Sequence, residues 1–290
     1  MPKYKDIMLY GGDVHIKFDE KNHAYWKLDG DNPKKNGDPR MKRLTGVTTY
    51  CGIVDKTKFL IPWAVDTTVE FVRQHIDMIQ DKSGNELLEL ARHESDKQRD
   101  LAAEIGSAIH KWIEQYIQKE KPEMPDDPKV LEGVVSFLKW QETEKIIFDW
   151  SEKVVYSKKH GYVGTADIGI RKGESKYLVD IKTGNNLYEE VKMQTAAYLM
   201  ALEEETKQDY AGRYVIRISK ETEADYMKRM EDKNSRKKNP SQIKPYKIFE
   251  AVYLDEDRES LTKDYKAFLS AKRLHEWKAT AWKELYNARQ

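Results

Sequence analysis

Cysteine is almost missing from this chain: of 290 residues, only Cys51 carries a thiol. One thiol excludes an internal disulfide framework, a four-cysteine zinc site and a four-cysteine iron–sulfur cluster. Long apolar runs are missing too, since none approaches the ~20 residues of a membrane-spanning helix. The opening Met1-Pro-Lys-Tyr-Lys-Asp6 carries no apolar signal region. A soluble, cytoplasmic protein without a membrane partner is therefore expected. Neither charge sign dominates: 51 Lys and Arg against 50 Asp and Glu leave a formal charge of +1. Any nucleic-acid surface must then be a local patch, not a general basic coat. No Gly-x-x-x-x-Gly-Lys-Ser/Thr motif occurs, so no P-loop motor is encoded here. No internal repeat is visible.

What is present suits one large domain spanning 1–290, with 39% hydrophobic residues for a core and 35% charged residues for a polar surface. Val14–Phe18 and His23–Leu28 alternate around a polar turn, which predicts a hairpin. Residues 29–43 read as a loop, and Leu44–Tyr50 is β-prone. Apolar spacing predicts helices over Ile61–Met78, with Pro62 near the first turn, over 85–119 and over 129–144. The breaker Lys121–Pro128 separates the last two. Strands follow over Ile146–Ser157, Gly161–Arg171 and Lys176–Lys182. A helix over 187–206, a strand over Arg213–Ser219, a polar and basic stretch over 220–244, a strand over Tyr246–Leu254 and a helix from Arg258 complete the chain. This order predicts an α/β fold, a central mixed sheet flanked by helices, with an N-terminal β-hairpin and helical additions. It divides into 1–85, 86–219 and 220–290.

The chemistry gathers between Gly161 and Tyr198. Asp180 and Lys182 lie two apart on a strand, so alternation places them on one face, with Ile181 on the other. Asp167 precedes Asp180 on the neighbouring strand, across the turn Arg171–Lys176, so antiparallel pairing brings the two carboxylates together. Adjacent carboxylates repel unless a cation lies between them. Carboxylates with water suit Mg²⁺ or Mn²⁺, and the Lys182 ammonium can balance charge or activate a water. A surface salt bridge is the plainer reading of an Asp-x-Lys pair, but the apolar neighbours Leu178, Val179 and Ile181 imply a central strand, where an idle charge is costly. Gln194 and Tyr198 share a helical face and can bond a phosphate or a catalytic group, or simply pack. On the 85–119 helix, Gly106 implies close approach of another element. His110 there is either a metal or phosphate contact or an ordinary polar residue, and Glu114 lies one turn beyond it. The basic stretch around Arg236, Lys237 and Lys238 reads as a DNA-binding loop or a solvated one.

Gly106-x-x-x-His110, Gly164-x-x-Asp167, Asp180-Ile-Lys182 and Gln194-x-x-x-Tyr198, in this order, resemble the RecB-like branch of the PD-(D/E)XK nuclease superfamily, which includes phage and recombination exonucleases. The likeness covers about residues 106–200; Ala166 stands where the literal proline of the superfamily name would be. It implies a restriction-endonuclease-like core with 86–219 as the catalytic part of a single nuclease domain. Asp167, Asp180 and the Ile181 carbonyl would bind Mg²⁺ or Mn²⁺, His110 would bind or position the metal, and Lys182 would be the catalytic lysine. Gln194 and Tyr198 would support the site and the DNA backbone, with Glu114 as a secondary candidate. No iron–sulfur cluster is expected. The implied activity is a metal-dependent DNA nuclease, an exonuclease on double-stranded ends in phage recombination or DNA repair, inside a bacterial or phage-infected cell. A single-strand annealing or recombination protein is the implied partner, and a homo-oligomer is admitted. The alternatives are a structure-specific endonuclease, an RNA nuclease, or a non-catalytic DNA-binding or assembly module.

Overall fold

A computed structural model describes residues 4–29, 40–77, 84–235, 242–255 and 257–287. It is an α/β structure with two sheets. Strands β1 (Tyr4–Leu9), β2 (Val14–Asp19), β3 (Ala24–Asp29) and β4 (Arg40–Leu44) make an antiparallel four-stranded sheet in sequential order. Strands β5 (Ile147–Ser157), β6 (Tyr162–Lys172), β7 (Ser175–Thr183), β8 (Gly212–Ile218) and β9 (Phe249–Tyr253) make a five-stranded sheet, also in sequential order. Only β7 and β8 pair in parallel, so this sheet is mixed. A parallel pair needs a crossover, supplied here by helix α5 (Glu190–Thr206).

The remaining helices are α1 (Val47–Cys51), α2 (Thr57–Gln74), α3 (Gly84–Ile117), α4 (Pro128–Thr143), α6 (Glu223–Ser235) and α7 (Arg258–Asn287). The larger sheet is covered on both faces. Ile109 and Ile113 of α3 and Val134 and Phe137 of α4 pack with Ile168, Val179, Ile181 and Ile216 on one side. Val47 of α1, the α5 residues Ala196, Ala197 and Leu199, and Phe268 of α7 pack with Val155, Tyr162 and Leu178 on the other. A third cluster joins Val14, Ile16 and Tyr25 of the small sheet to Val154, Tyr156 and Val163 of the large one.

Local chemistry accounts for several of these elements. Asp127 caps α4, accepting from Lys129 N at 2.8 Å and Val130 N at 3.3 Å, and Pro128 supplies a preset first turn. Helix α5 is buried on nearly every side, and its alanines let it lie close on the sheet. Arg213 of β8, fully buried, ties three elements together. It pairs with Asp255 and with Asp264 of α7 (2.9 Å), and donates to Lys192 O of α5 at 2.7 Å.

Four stretches depart from the sequence reading. Leu44–Tyr50 is not a strand: from Val47 it is helix α1, and Val47, Tyr50 and Cys51 are buried at helical spacing. Three β-prone residues hid that spacing, and packing against α5 and α7 overrode their propensity. Residues 220–244 are not all loop, because α6 forms within them, with Glu223 and Asp225 in its first turn and Arg229 paired to Glu221 at 2.6 Å. Strand β4 occupies the end of the expected 29–43 loop, and β1 was not anticipated. Both are charged edge strands, whose patterns are weak because each leaves one edge in solvent. Among the described residues, no helix is long and apolar enough to cross a membrane.

Candidate active site

The site lies where β6 and β7 part. Their paired register runs from Lys172 opposite Ser175 to Ile168 opposite Val179. One step further, Asp167 and Asp180 would face each other, but the strands separate. Ile181 N–H instead donates to Asp167 Oδ2 at 2.7 Å. Facing also switches at this point of β6. Gly164 lies against Tyr198 of α5 and Ala166 belongs to the α5 side, whereas Ile168 and Ile170 belong to the α3–α4 side.

Asp180 is almost wholly buried, at 1% exposure. Its Oδ1 accepts from Gln194 Nε2 at 3.1 Å, and the same amide nitrogen donates to Tyr198 Oη at 3.2 Å. Because a carboxylate only accepts, the Gln194 amide is locked in one orientation. Lys182 Nζ lies 2.7 Å from Asp180 Oδ2, although that oxygen receives no well-directed hydrogen bond. Gly164 permits this arrangement, since any side chain there would strike the Tyr198 ring.

Burial raises the pKa of Asp180, and Asp167 raises it further against the lowering effect of Lys182. Burial likewise raises that of Asp167. Lys182 is held above its usual value: burial alone would lower it, but Asp180 and Asp167 together prevail. The pKa of His110 on α3 is pushed down to about 4, mainly by burial; Asp180 opposes the shift, and Lys182 and Lys220 add to it. Its imidazole is therefore neutral at neutral pH and free to act as a ligand.

A cleft of about 1260 Å³ opens onto this point, and Asp167, His110, Glu114, Gln194 and Tyr198 all line it. Asp180, Ile181 and Lys182 lie just behind that lining. Gln194 and Tyr198 spend their described hydrogen bonds on Asp180 and on each other, so their part is to hold the carboxylate. Glu114 accepts from Gln118 Nε2 at 3.0 Å at the cleft edge. Arg236, Lys237 and Lys238 lie outside the described residues.

Sequence reasoning missed several residues of the cleft wall, Glu152 and Lys220 among them. Glu152 stands on β5 between Ser151, which pairs Ile168, and Lys153, which pairs Ala166, and so opposite Asp167. Its φ of 48° is unusual for a strand. Burial, and then Asp167 and Glu114, push its pKa up to about 8. A polar triplet, Ser151-Glu-Lys153, directly before the apolar Val154–Tyr156 of the strand was the available signal. Lys220, two residues beyond β8, also lines the cleft. Its place at the head of the polar stretch 220–244 gives no sign of this in the sequence.

The donor set fits a hard divalent cation. Asp167 and Asp180 offer carboxylate oxygens, His110 offers a neutral imidazole, and Asp180 Oδ2 is a buried acceptor short of a hydrogen bond. Among the described residues, no three His, Cys, Asp or Glu side chains stand together as a ready cage. Water and substrate oxygens would complete the shell, as Mg²⁺ commonly requires. No protein-family model matches the chain, and no curated protein matches its sequence.

Proposed function

We propose that this chain is a metal-dependent DNA nuclease of the RecB-like branch of the PD-(D/E)XK superfamily, with a restriction-endonuclease-like core, acting on DNA ends as an exonuclease. The observation that carries the reading is convergence. Helix α3 and the consecutive elements β5, β6, β7 and α5 bring His110, Glu152, Asp167, Gln194 and Tyr198 to one cleft, with Asp180 and Lys182 held behind its wall. A merely structural Asp–Lys pair needs none of that surrounding apparatus.

Asp167 and Asp180, with the Ile181 carbonyl and His110, would hold Mg²⁺ or Mn²⁺. A bound ion of this kind supplies polarisation of a phosphoryl oxygen and acidification of water. Lys182 remains charged and directs a water or steadies charge on the phosphate. Gln194, braced by Tyr198, keeps Asp180 from rotating. Glu114 adds a further carboxylate to the cleft wall, whereas burial and Asp167 favour the protonated form of Glu152.

The test uses purified protein with linear and circular duplex DNA, in Mg²⁺, Mn²⁺ or EDTA. Cleavage that needs the metal and disappears in Asp180→Asn and Lys182→Met is expected. Activity in EDTA, or full activity in Asp180→Asn, rejects the mechanism. Degradation of linear DNA alone supports an exonuclease, whereas cutting of circles favours an endonuclease. The second reading, a binding module without catalysis, draws on the Lys182 ammonium neutralising Asp180 without a metal. It predicts metal-independent DNA binding and no cleavage.

A further inference from the structure

We propose that Lys220 is a phosphate-binding residue of this cleft, gripping the DNA backbone phosphate next to the one that is cut. The inference rests on the nuclease reading and extends it to the path of the substrate strand.

Position is the first argument. Lys220 follows the end of β8, and Thr183 ends the parallel neighbour β7. Both meet Gly106 of α3, where an added Cβ would lie 2.5 Å from Thr183 Oγ1 and 3.0 Å from Lys220 Nζ. The missing side chain at Gly106 thus lets α3 lie against these strand ends. That approach sets Lys220 about one helical turn from His110, because residues 106 and 110 share a helix face. Lys220, His110 and Asp167 line the same cleft.

Charge is the second argument. Lys182 has Asp180, Lys129 has Asp225 at 3.0 Å, and Lys56 has Glu190. Lys220 is half-buried, yet among the described residues no carboxylate lies within ion-pairing distance of it. A partly desolvated ammonium without a partner is unfavourable unless an anion arrives. Lys111 and Arg43, exposed residues of the same cleft, add to its positive charge. A phosphodiester is the anion that fits: singly charged, with two free oxygens for one ammonium.

The experiment compares wild type, Lys220→Met and Lys220→Arg. Methionine keeps an unbranched stem against Gly106 and removes the charge. Steady-state cleavage of linear duplex in Mg²⁺ separates KM from kcat, and binding to the same duplex in Ca²⁺ is followed across a salt series. Lys220→Met is expected to raise KM about tenfold with kcat within about threefold. It is also expected to reduce the slope of log affinity against log salt by about 0.9. Lys220→Arg should stay near wild type in both. Unchanged KM and slope in folded Lys220→Met overturn the proposal, as does a fall in kcat alone or a failure of arginine to rescue. Lys220→Gln substitutes if the methionine variant does not fold. A wild type that cleaves nothing removes the nuclease reading and this inference with it, whereas active wild type beside an indifferent Lys220→Met removes the inference alone.

Discussion

Gly164→Ala probes how the site's strand and helix interlock. Gly164 is buried on β6, and its φ does not lie in the left-handed region, so alanine meets no backbone penalty there. What it meets is Tyr198. The new Cβ would fall under 3.0 Å from Cε1 of the ring and 3.3 Å from Cδ1 and Cζ. The ring cannot swing outward, because it is 3% exposed and its hydroxyl is held by Gln194. Overpacking of this kind costs about 1–3 kcal/mol, and the lower chain entropy of alanine in the unfolded state returns about 0.4–1 kcal/mol. A net loss of about 1–2 kcal/mol is expected in urea unfolding at unchanged m. Tyr198→Leu removes the ring edge, so the double variant should be more stable than the sum of the single changes implies, by about 1 kcal/mol. A shifted Tyr198 also moves Gln194 and, through it, Asp180. Cleavage by Gly164→Ala should therefore fall at least about tenfold. Stability within about 0.5 kcal/mol of wild type, together with strict additivity in the double variant, would refute the reasoning.

Three further perturbations separate the other supports. Gln194→Leu leaves Asp180 Oδ1 without its donor; a stability loss of about 1–3 kcal/mol and a fall in cleavage rate are expected, read by urea unfolding and by turnover. Arg213→Leu strands Asp255, which is buried; a loss of about 3–5 kcal/mol in chemical denaturation is expected, and a loss below about 1 kcal/mol would show the network to be dispensable. Glu152 carries a pH signature. Its pKa rises from 4.5 unfolded to about 8 folded, so between those values the folded state holds a proton that the unfolded state lacks. That contribution is complete below the unfolded value and is lost as pH climbs through the folded one. In EDTA, wild type should lose up to about 3 kcal/mol relative to Glu152→Gln between pH 5 and pH 8.5, after discounting for partial solvation. Parallel pH profiles for the two proteins would count against the buried, protonated carboxyl.

Local pattern carried much of this protein. Alternation around Asp180 was enough to assign a central strand, and helical spacing was enough for α3, α4 and α5, because a buried face must repeat with the geometry of its element. The cost of glycine within a helix pointed to a close neighbour at Gly106 before Thr183 and Lys220 were seen there. The short distance between Asp167 and Asp180 along a hairpin made them candidates together. Tertiary structure alone decided the rest. Val47–Cys51 became helical because α5 and α7 offered a surface for one face of it. Residue order contains no trace of β6 parting from β7 at Asp167, because where a ladder ends depends on the packing of both strands and not on either one alone. Glu152 entered the site through a strand pairing, and Lys220 through a helix resting on two strand ends. Periodicity is a property of one segment and can be read from it, whereas a cleft is made by the gaps between segments, whose dimensions depend on every side chain packed around them.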